Sequence, residues 1–290
     1  MRYTPTLLQK KPFVFPETPR WFRDTFYFCD IDPGILYRVT AAGDVEPIYA
    51  HGSPISGWVR RDDGSLLVVA GLERRIVSVR DGVASTYADA SASIGWALND
   101  LLLTPDGHCY VGGVDFNLFA EPDKSGHPSP LLHVAPGGQV SVATREIAFP
   151  NGMTILPSGE LLVADSSTGD LLAFRRAADG SLHDRRVWAA LPGEMPDGIS
   201  LDAEGGVWVA SHHRVLRVRE GGEVTDTVEM GSTRATACML GGADGRTLLI
   251  TASDSHDRAY IRANGPSGAI YTVHVPVAGA GLPSVYGAAA

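Results

Sequence analysis

One short pattern of turn and strand recurs along the chain and limits the fold more than any other feature. Residues 63–70 read DGSLLVVA, 106–113 DGHCYVGG, 158–165 SGELLVAD, 204–211 EGGVWVAS and 244–251 DGRTLLIT. Residues 23–30, RDTFYFCD, are a weaker copy without the glycine. In the strong copies a glycine follows Asp, Ser or Glu, as a tight hairpin needs. A run rich in Val, Leu and Ile then reads as a strand. Successive copies start about 40 to 52 residues apart, the length of a four-stranded propeller blade. Six copies therefore predict an all-β fold, a six-bladed β-propeller of four-stranded antiparallel blades, with residues 1–290 forming one domain.

Within the fourth copy the strands are placed at Gly152 to Leu156, Glu160 to Ala164, Leu171 to Arg175 and Arg186 to Ala190. Gly, Pro and Asp recur too often for long stretches of helical period, so no helix is expected. A closed ring needs one blade to borrow a strand from the other end of the chain. Tyr3 to Gln9 is the expected donor.

Composition narrows the partners. Hydrophobic residues make up 44% of the 290, ample for a core, and the net charge is −9 without a basic run, which argues against nucleic acid. The segment MRYTPTLLQKKPFVF has no apolar core of signal-peptide length, and no run approaches the ~20 apolar residues of a membrane span. A cytoplasmic protein is expected, with no membrane partner. Cys29, Cys109 and Cys238 are far apart, odd in number and set in apolar runs, as buried free thiols would be.

The first strand of a propeller blade lines the central channel and the second runs back antiparallel. Polar groups at first-strand starts should therefore meet at one mouth of the channel. These starts read ETPRW (17–21), SGW (56–58), LND (98–100), PNGM (150–153), PDGI (196–199) and ATAC (235–238). Glu17, Asn151 and Asp197 fall in corresponding places, and Asn99 with Asp100 supplies a fourth. Asn-Gly and Asp-Gly are ordinary turn dipeptides. Here, however, each precedes a strand that has its own separate Gly turn, so the hairpin does not need it. Two carboxylates, an amide oxygen and water make a hard-oxygen site. Such a site suits one divalent cation, Ca²⁺ first, with Mg²⁺, Mn²⁺ or Zn²⁺ as alternatives.

At these residues the chain resembles the family of gluconolactonase, regucalcin (senescence marker protein) and luciferin-regenerating enzyme. The matching stretches are ETPRW, LNDLLLTPDGHCYVGG, FPNGM, MPDGISLDAEGGVWVAS and ATACMLGGADGRTLLITA, spread over residues 17–252. The resemblance implies a six-bladed propeller with one catalytic divalent cation held by Glu17, Asn151 and Asp197. It also implies Asn99 as a substrate-binding residue, and hydrolysis of lactones or related esters. Two departures stand out. Thr18 occupies the place of a common glycine, in ETP rather than EGP. Ala97, next to Trp96, occupies the place of an arginine that sugar-lactone hydrolases of the regucalcin type carry two residues before the asparagine. An apolar wall in place of a guanidinium favours a substrate less polar than a sugar lactone.

The same geometry assigns the loops that follow second strands to the site. The loop 114–130, VDFNLFAEPDKSGHPSP, is long enough for a lid, with Asp115 and Phe116 at its root. The loop 253–268 brings Asp254 and His256 toward the mouth, and His212-His213 ends the corresponding strand of the fifth blade. Trp58 either walls the pocket or packs in the core. No nucleophile elbow and no dinucleotide-binding loop is present. The expected chemistry is metal-dependent hydrolysis of a lactone or cyclic ester. Asp197, or else Asp100, deprotonates water, and Asn99 orients the small-molecule substrate. Two alternatives remain open at this point: a non-hydrolytic propeller enzyme of the strictosidine-synthase kind, and a non-catalytic calcium- or ligand-binding propeller.

Overall fold

The computed structural model describes residues 1–290 apart from 41–42, 118–119, 125, 256 and 283–290. Among the described residues it contains six sheets, each built on four antiparallel strands; the fifth is widened at its two edges by Arg2–Tyr3 and Gly279–Leu282, and the sixth takes one strand from the other end of the chain. Blade I is Pro16–Phe22, Thr25–Asp30, Ile35–Val39 and Val45–Ala50. Blade II is Ile55–Arg60, Leu66–Ala70, Arg75–Arg80 and Val83–Asp89. Blade III is Ala97–Leu103, Cys109–Val114, Ser129–Val134 and Val140–Ile147. Blade IV is Pro150–Ile155, Leu161–Asp165, Asp170–Arg176 and Leu182–Ala190. Blade V is Pro196–Asp202, Val207–Ser211, Arg214–Val218 and Val224–Glu229. Blade VI is Arg234–Gly241, Thr247–Ser253 and Gly268–His274, completed by Thr6–Phe13 from the other end of the chain.

The apolar runs are continuous because each strand is covered on both faces. In Leu161–Asp165, Leu161 and Val163 belong to the core shared by blades III and IV, while Leu162 and Ala164 belong to the core shared by blades IV and V. The period-2 alternation thus divides one strand between two interfaces. A separate apolar cluster fills each of the six junctions between neighbouring blades, including the one between VI and I. There Phe13 packs edge-on against Phe28, with ring centroids 5.1 Å apart. Burying one such side chain contributes about 1.5–3 kcal/mol, so the junctions supply the main force that holds the ring together.

All six hairpins between first and second strands turn through a left-handed residue. Five use glycine, from Gly64 at φ 83° to Gly245 at φ 71°, and the weak copy uses Asp24 at φ 62°. The missing glycine in RDTFYFCD is therefore a change of residue and not of geometry.

Three expectations shift. The donor strand is Thr6–Phe13 and not Tyr3 to Gln9. Pro5 lies between it and Arg2–Tyr3, which instead pairs parallel with the outer strand of blade V (Arg2 with Thr227, Tyr3 with Val228). The boundaries in blade IV move by one to four residues, most at Leu182–Ala190, which starts four residues early. A helix also exists, Arg258–Asn264. The Asp257 side chain accepts from Ala259 N and Tyr260 N at its start, and Gly265 (φ 85°) ends it. At seven residues it is too short to show a hydrophobic period, although its caps follow the usual rule. Among the described residues no helix is long and apolar enough to cross a membrane.

Candidate active site

Every inner strand carries a β-bulge near its start. The register slips between Glu17 and Arg20, Ile55 and Gly57, Leu98 and Leu101, Pro150 and Met153, Pro196 and Ile199, and Ala235 and Ala237. A bulge opposes extra residues to one partner and re-aims their side chains. Glu17, Ser56, Asn99, Asn151, Asp197 and Thr236 stand at these six slips, and each bears a side-chain oxygen. The first five line one cavity of about 610 Å³, a size suited to a small molecule. Thr236 is fully buried and donates to Pro16 O at 2.6 Å.

The glycines of PNGM and PDGI serve close approach and not a turn. A Cβ on Gly152 would lie 2.5 Å from Asp197 O, and one on Gly198 would lie 2.2 Å from Ala237 Cβ. Neighbouring inner strands thus touch backbone to backbone, which draws Asn151 and Asp197 to the same cavity. At Glu17 the same task falls to Thr18, which holds φ 43°, a conformation that favours glycine. Its N–H donates to Glu17 Oε2 at 2.7 Å, its carbonyl accepts from Trp58 Nε1 at 3.0 Å, and its Oγ1 lies 2.9 Å from Cys29 Sγ. The departure from EGP therefore keeps the geometry at a local strain of about 1 kcal/mol.

Glu17 and Asp197 are each 7% exposed and Asn151 is 8% exposed. Burial pushes the Glu17 carboxyl up to about 8, with the Thr18 N–H opposing and Asp100 adding to the rise. Burial raises Asp197 well above the carboxylate range, and the charges of Glu17 and Asp100 raise it further. Among the described residues neither Glu17 nor Asp197 has a cationic side chain within ion-pair distance. The Asn151 amide donates through Nδ2 to Ser166 Oγ at 3.1 Å, and Ser166 in turn donates to Pro196 O at 2.6 Å. That chain fixes the amide so that its oxygen is free of this contact. Two buried carboxylates that no cationic side chain touches directly, joined by a held amide oxygen, fit a hard divalent cation. No group of three His, Cys, Asp or Glu side chains among the described residues is placed to hold a metal. A cation here would thus depend on the amide as its third protein ligand.

An apolar collar lies beside the oxygen ring. The residues two positions before the five cavity-lining oxygens are Phe15, Pro54, Ala97, Phe149 and Met195, and all five line the cavity. The ends of second strands anchor three of them. Asp30 accepts from Val14 N and Phe15 N (3.0 and 2.7 Å), Asp165 from Ala148 N and Phe149 N (2.9 and 3.0 Å), and Ser211 from Met195 N (2.9 Å). Ile31, Leu72 and Trp96 complete the wall.

The other expected site residues divide. Asn99 and Trp96 line the cavity. Asp100 does not: it is buried and paired with Arg20 at 2.9 Å. Trp58 is buried, donates to Thr18 O and packs edge-on against Tyr27 at 5.6 Å, so it belongs to the core. Asp115 accepts from Gly95 N at 2.8 Å and pairs with Arg145 at 2.9 Å, which ties down the root of its loop. Phe116 is buried against His127 (centroids 6.5 Å apart) and does not face the cavity. The loop does reach the cavity through Val114 and Gly126. His256 lies outside the described residues. Asp254 is exposed, and neither it nor His212 and His213 lines the cavity. Reading the sequence missed Ser56, Ser166, Phe15, Phe149, Met195 and Arg20. The collar residues were in principle legible, because each precedes a recognised oxygen by two.

The sequence model of the SMP-30/Gluconolactonase/LRE-like region matches residues 15–254. The chain belongs to this family. The 6-deoxy-6-sulfogluconolactonase of Pseudomonas putida is 26% identical to it over 98% of this chain and 99% of its own. The luciferin-regenerating enzyme structure superposes with a TM-score of 0.80 at 20% identity, covering 97% of this chain and 99% of that one. The calcium-binding protein regucalcin from Agrobacterium tumefaciens gives 0.79 at 22% identity, covering 96% of each. These two likenesses establish the propeller fold.

Proposed function

We propose that the protein is a divalent-cation-dependent hydrolase of a lactone or cyclic ester, with a substrate less polar than a sugar lactone. The observation that carries this reading is the pairing of a buried oxygen ring with an apolar collar in one cavity. Membership of a family with relatives named as lactonases supports the reaction class. Glu17, Asn151 and Asp197 would hold the cation, Ca²⁺ being well suited to such oxygen donors, and it would supply positive charge for the substrate carbonyl oxygen.

The chain's own residues do the rest. Asp197, which lines the cavity beside Asn151, accepts the proton of the attacking water as oxygen bonds to the carbonyl carbon. The ring C–O bond then breaks, and the departing oxygen takes up a proton to give the hydroxy acid. Asn99 makes one long side-chain bond, 3.5 Å to Pro150 O, and so keeps hydrogen-bonding capacity for the substrate. Ala97 and Trp96 wall the substrate body, and the collar excludes water from it.

The test is a panel of sugar, aliphatic and aromatic lactones, assayed after chelation and after return of Ca²⁺, Mn²⁺, Mg²⁺ or Zn²⁺. Turnover of the less polar lactones should vanish with EDTA and return with a cation. Full activity of the chelated protein would overturn the cation, and a preference for sugar lactones would overturn the substrate class.

A further inference from the structure

Arg20 is 3% exposed and lies on the inner strand of blade I, three residues after Glu17. It reaches past blade II to blade III. One terminal nitrogen, Nη2, donates to Asp100 Oδ1 at 2.9 Å and to Leu101 O at 3.1 Å, while Nη1 donates to Pro19 O at 3.1 Å. Its Nε is buried without any hydrogen-bond partner. A buried pair of this kind adds little to stability over an apolar pair, and an orphaned donor makes the balance worse. Packing therefore does not explain the residue.

Its neighbours suggest another role. Asp100 follows the cavity-lining Asn99, and Arg20 follows Glu17 on the same strand. The inner strands of blades II and III are in close contact between them, since a Cβ on Gly57 would lie 3.2 Å from Asp100 Cα. Glu17, Asp100 and Asp197 thus crowd one end of the channel, and Arg20 is the guanidinium placed among them.

We propose that Arg20 sets the charge of this site: it cancels one of three buried carboxylates, so that the mouth presents the charge of a divalent and not a trivalent cation site. With the carboxylates ionised, three negative charges and one positive leave −2. The proposal rests on the cation reading above. Arginine suits the task because it stays charged when buried, whereas a lysine would tend to shed its proton. Arg20 and Asp100 are then positioning residues that touch neither cation nor substrate.

The experiment measures Ca²⁺ and Tb³⁺ affinity by calorimetry and sensitised luminescence. The proteins are the wild type, Arg20→Met, Arg20→Lys, Asp100→Asn and the double variant Arg20→Met/Asp100→Asn. Tb³⁺ has similar size and oxygen preference but one more charge, so the ratio of the two affinities reports site charge. Arg20→Met should raise the Tb³⁺ preference on the order of tenfold, and Asp100→Asn should lower it by a comparable factor. The double variant should return it to about threefold of wild type or closer, and Arg20→Lys, which sheds its proton more readily, should fall between wild type and Arg20→Met. Misfolding would weaken both ions together and leave the ratio alone. If Arg20→Met does not fold, Asp100→Asn and the double variant still decide the matter. Ratios within about twofold of wild type in both single variants would overturn the role of Arg20 alone. A wild type that binds neither ion would overturn the cation reading and this inference with it.

Discussion

The protein buries two arginines among carboxylates, and their surroundings differ in an instructive way. Arg217, on the third strand of blade V, donates from Nε to Asp202 at 2.6 Å, from Nη1 to Thr225 Oγ1 at 3.2 Å and from Nη2 to Glu204 at 3.1 Å. Its neighbour Asp226 also accepts from Tyr3 OH and pairs with the amino terminus of Met1 at 3.1 Å. Each nitrogen has a partner, and the network ties the N-terminal segment to the outer strand of blade V. Arg20 has one carboxylate, two carbonyls and an orphaned nitrogen. A satisfied buried network rigidifies, and an incompletely satisfied one signals a competing demand. The same residue type thus marks a structural joint in blade V and the charge balance of a site at the channel mouth.

The contrast can be broken most forcefully at Asp197. Asp197→Asn should lower kcat/KM about a thousandfold or more while shifting the thermal midpoint little. A variant with wild-type turnover would remove the site from this end of the channel. Next comes Arg217→Met, which strands the fully buried Asp202. It should reduce unfolding free energy by about 3–5 kcal/mol in urea titrations and leave the activity of the folded fraction unchanged. Loss of turnover without loss of stability would reverse the two arginines' roles.

A smaller effect sharpens the structural side. His133 is held below the usual histidine range, first by burial and then by His108, whose Nδ1 lies 2.7 Å from its Nε2. The folded protein therefore binds fewer protons here than the unfolded chain. The stability from neutral His133 is complete above the unfolded value of about 6.5 and is lost as pH falls below it. The raised Glu17 and Asp197 carboxyls act in the opposite sense over the same range, so the readout is a difference: the urea midpoint of the wild type minus that of His133→Gln should fall between pH 7.5 and 5. The smallest change is expected from Thr18→Gly. Relief of the left-handed conformation and loss of the contact with Cys29 oppose each other, so the net shift should stay within about 1 kcal/mol. A much larger loss would mean that the Thr18 side chain, and not the backbone turn, positions Glu17.

The fold was legible because its signal is repeated. Six hairpins with left-handed turns and doubly covered strands leave the same mark in each blade. The oxygens at 17, 99, 151 and 197 were legible for the same reason, while Ser56 and Thr236 occupy the same position with less conspicuous side chains. What stayed hidden depends on contacts between blades. The Arg20–Asp100 pair joins residues 80 apart in sequence, and no local period encodes it. By sequence Asp100 beside Asn99 is a second candidate base, and only its pairing with Arg20 across the blades takes it out of the cavity. Trp58 and Phe116 could not be assigned from type alone, because an aromatic ring at the start of a strand or the root of a loop suits a core as well as a wall.

The six bulges also separate what the ring needs to assemble from what it needs to react. Hairpin turns on the far side and apolar junctions between blades carry folding, whereas five of the six blades each present one socket to the cavity at the bulge. Exchanging one socket residue rekeys the lock and leaves the hinges untouched, so a new specificity can be reached in single steps around the circle.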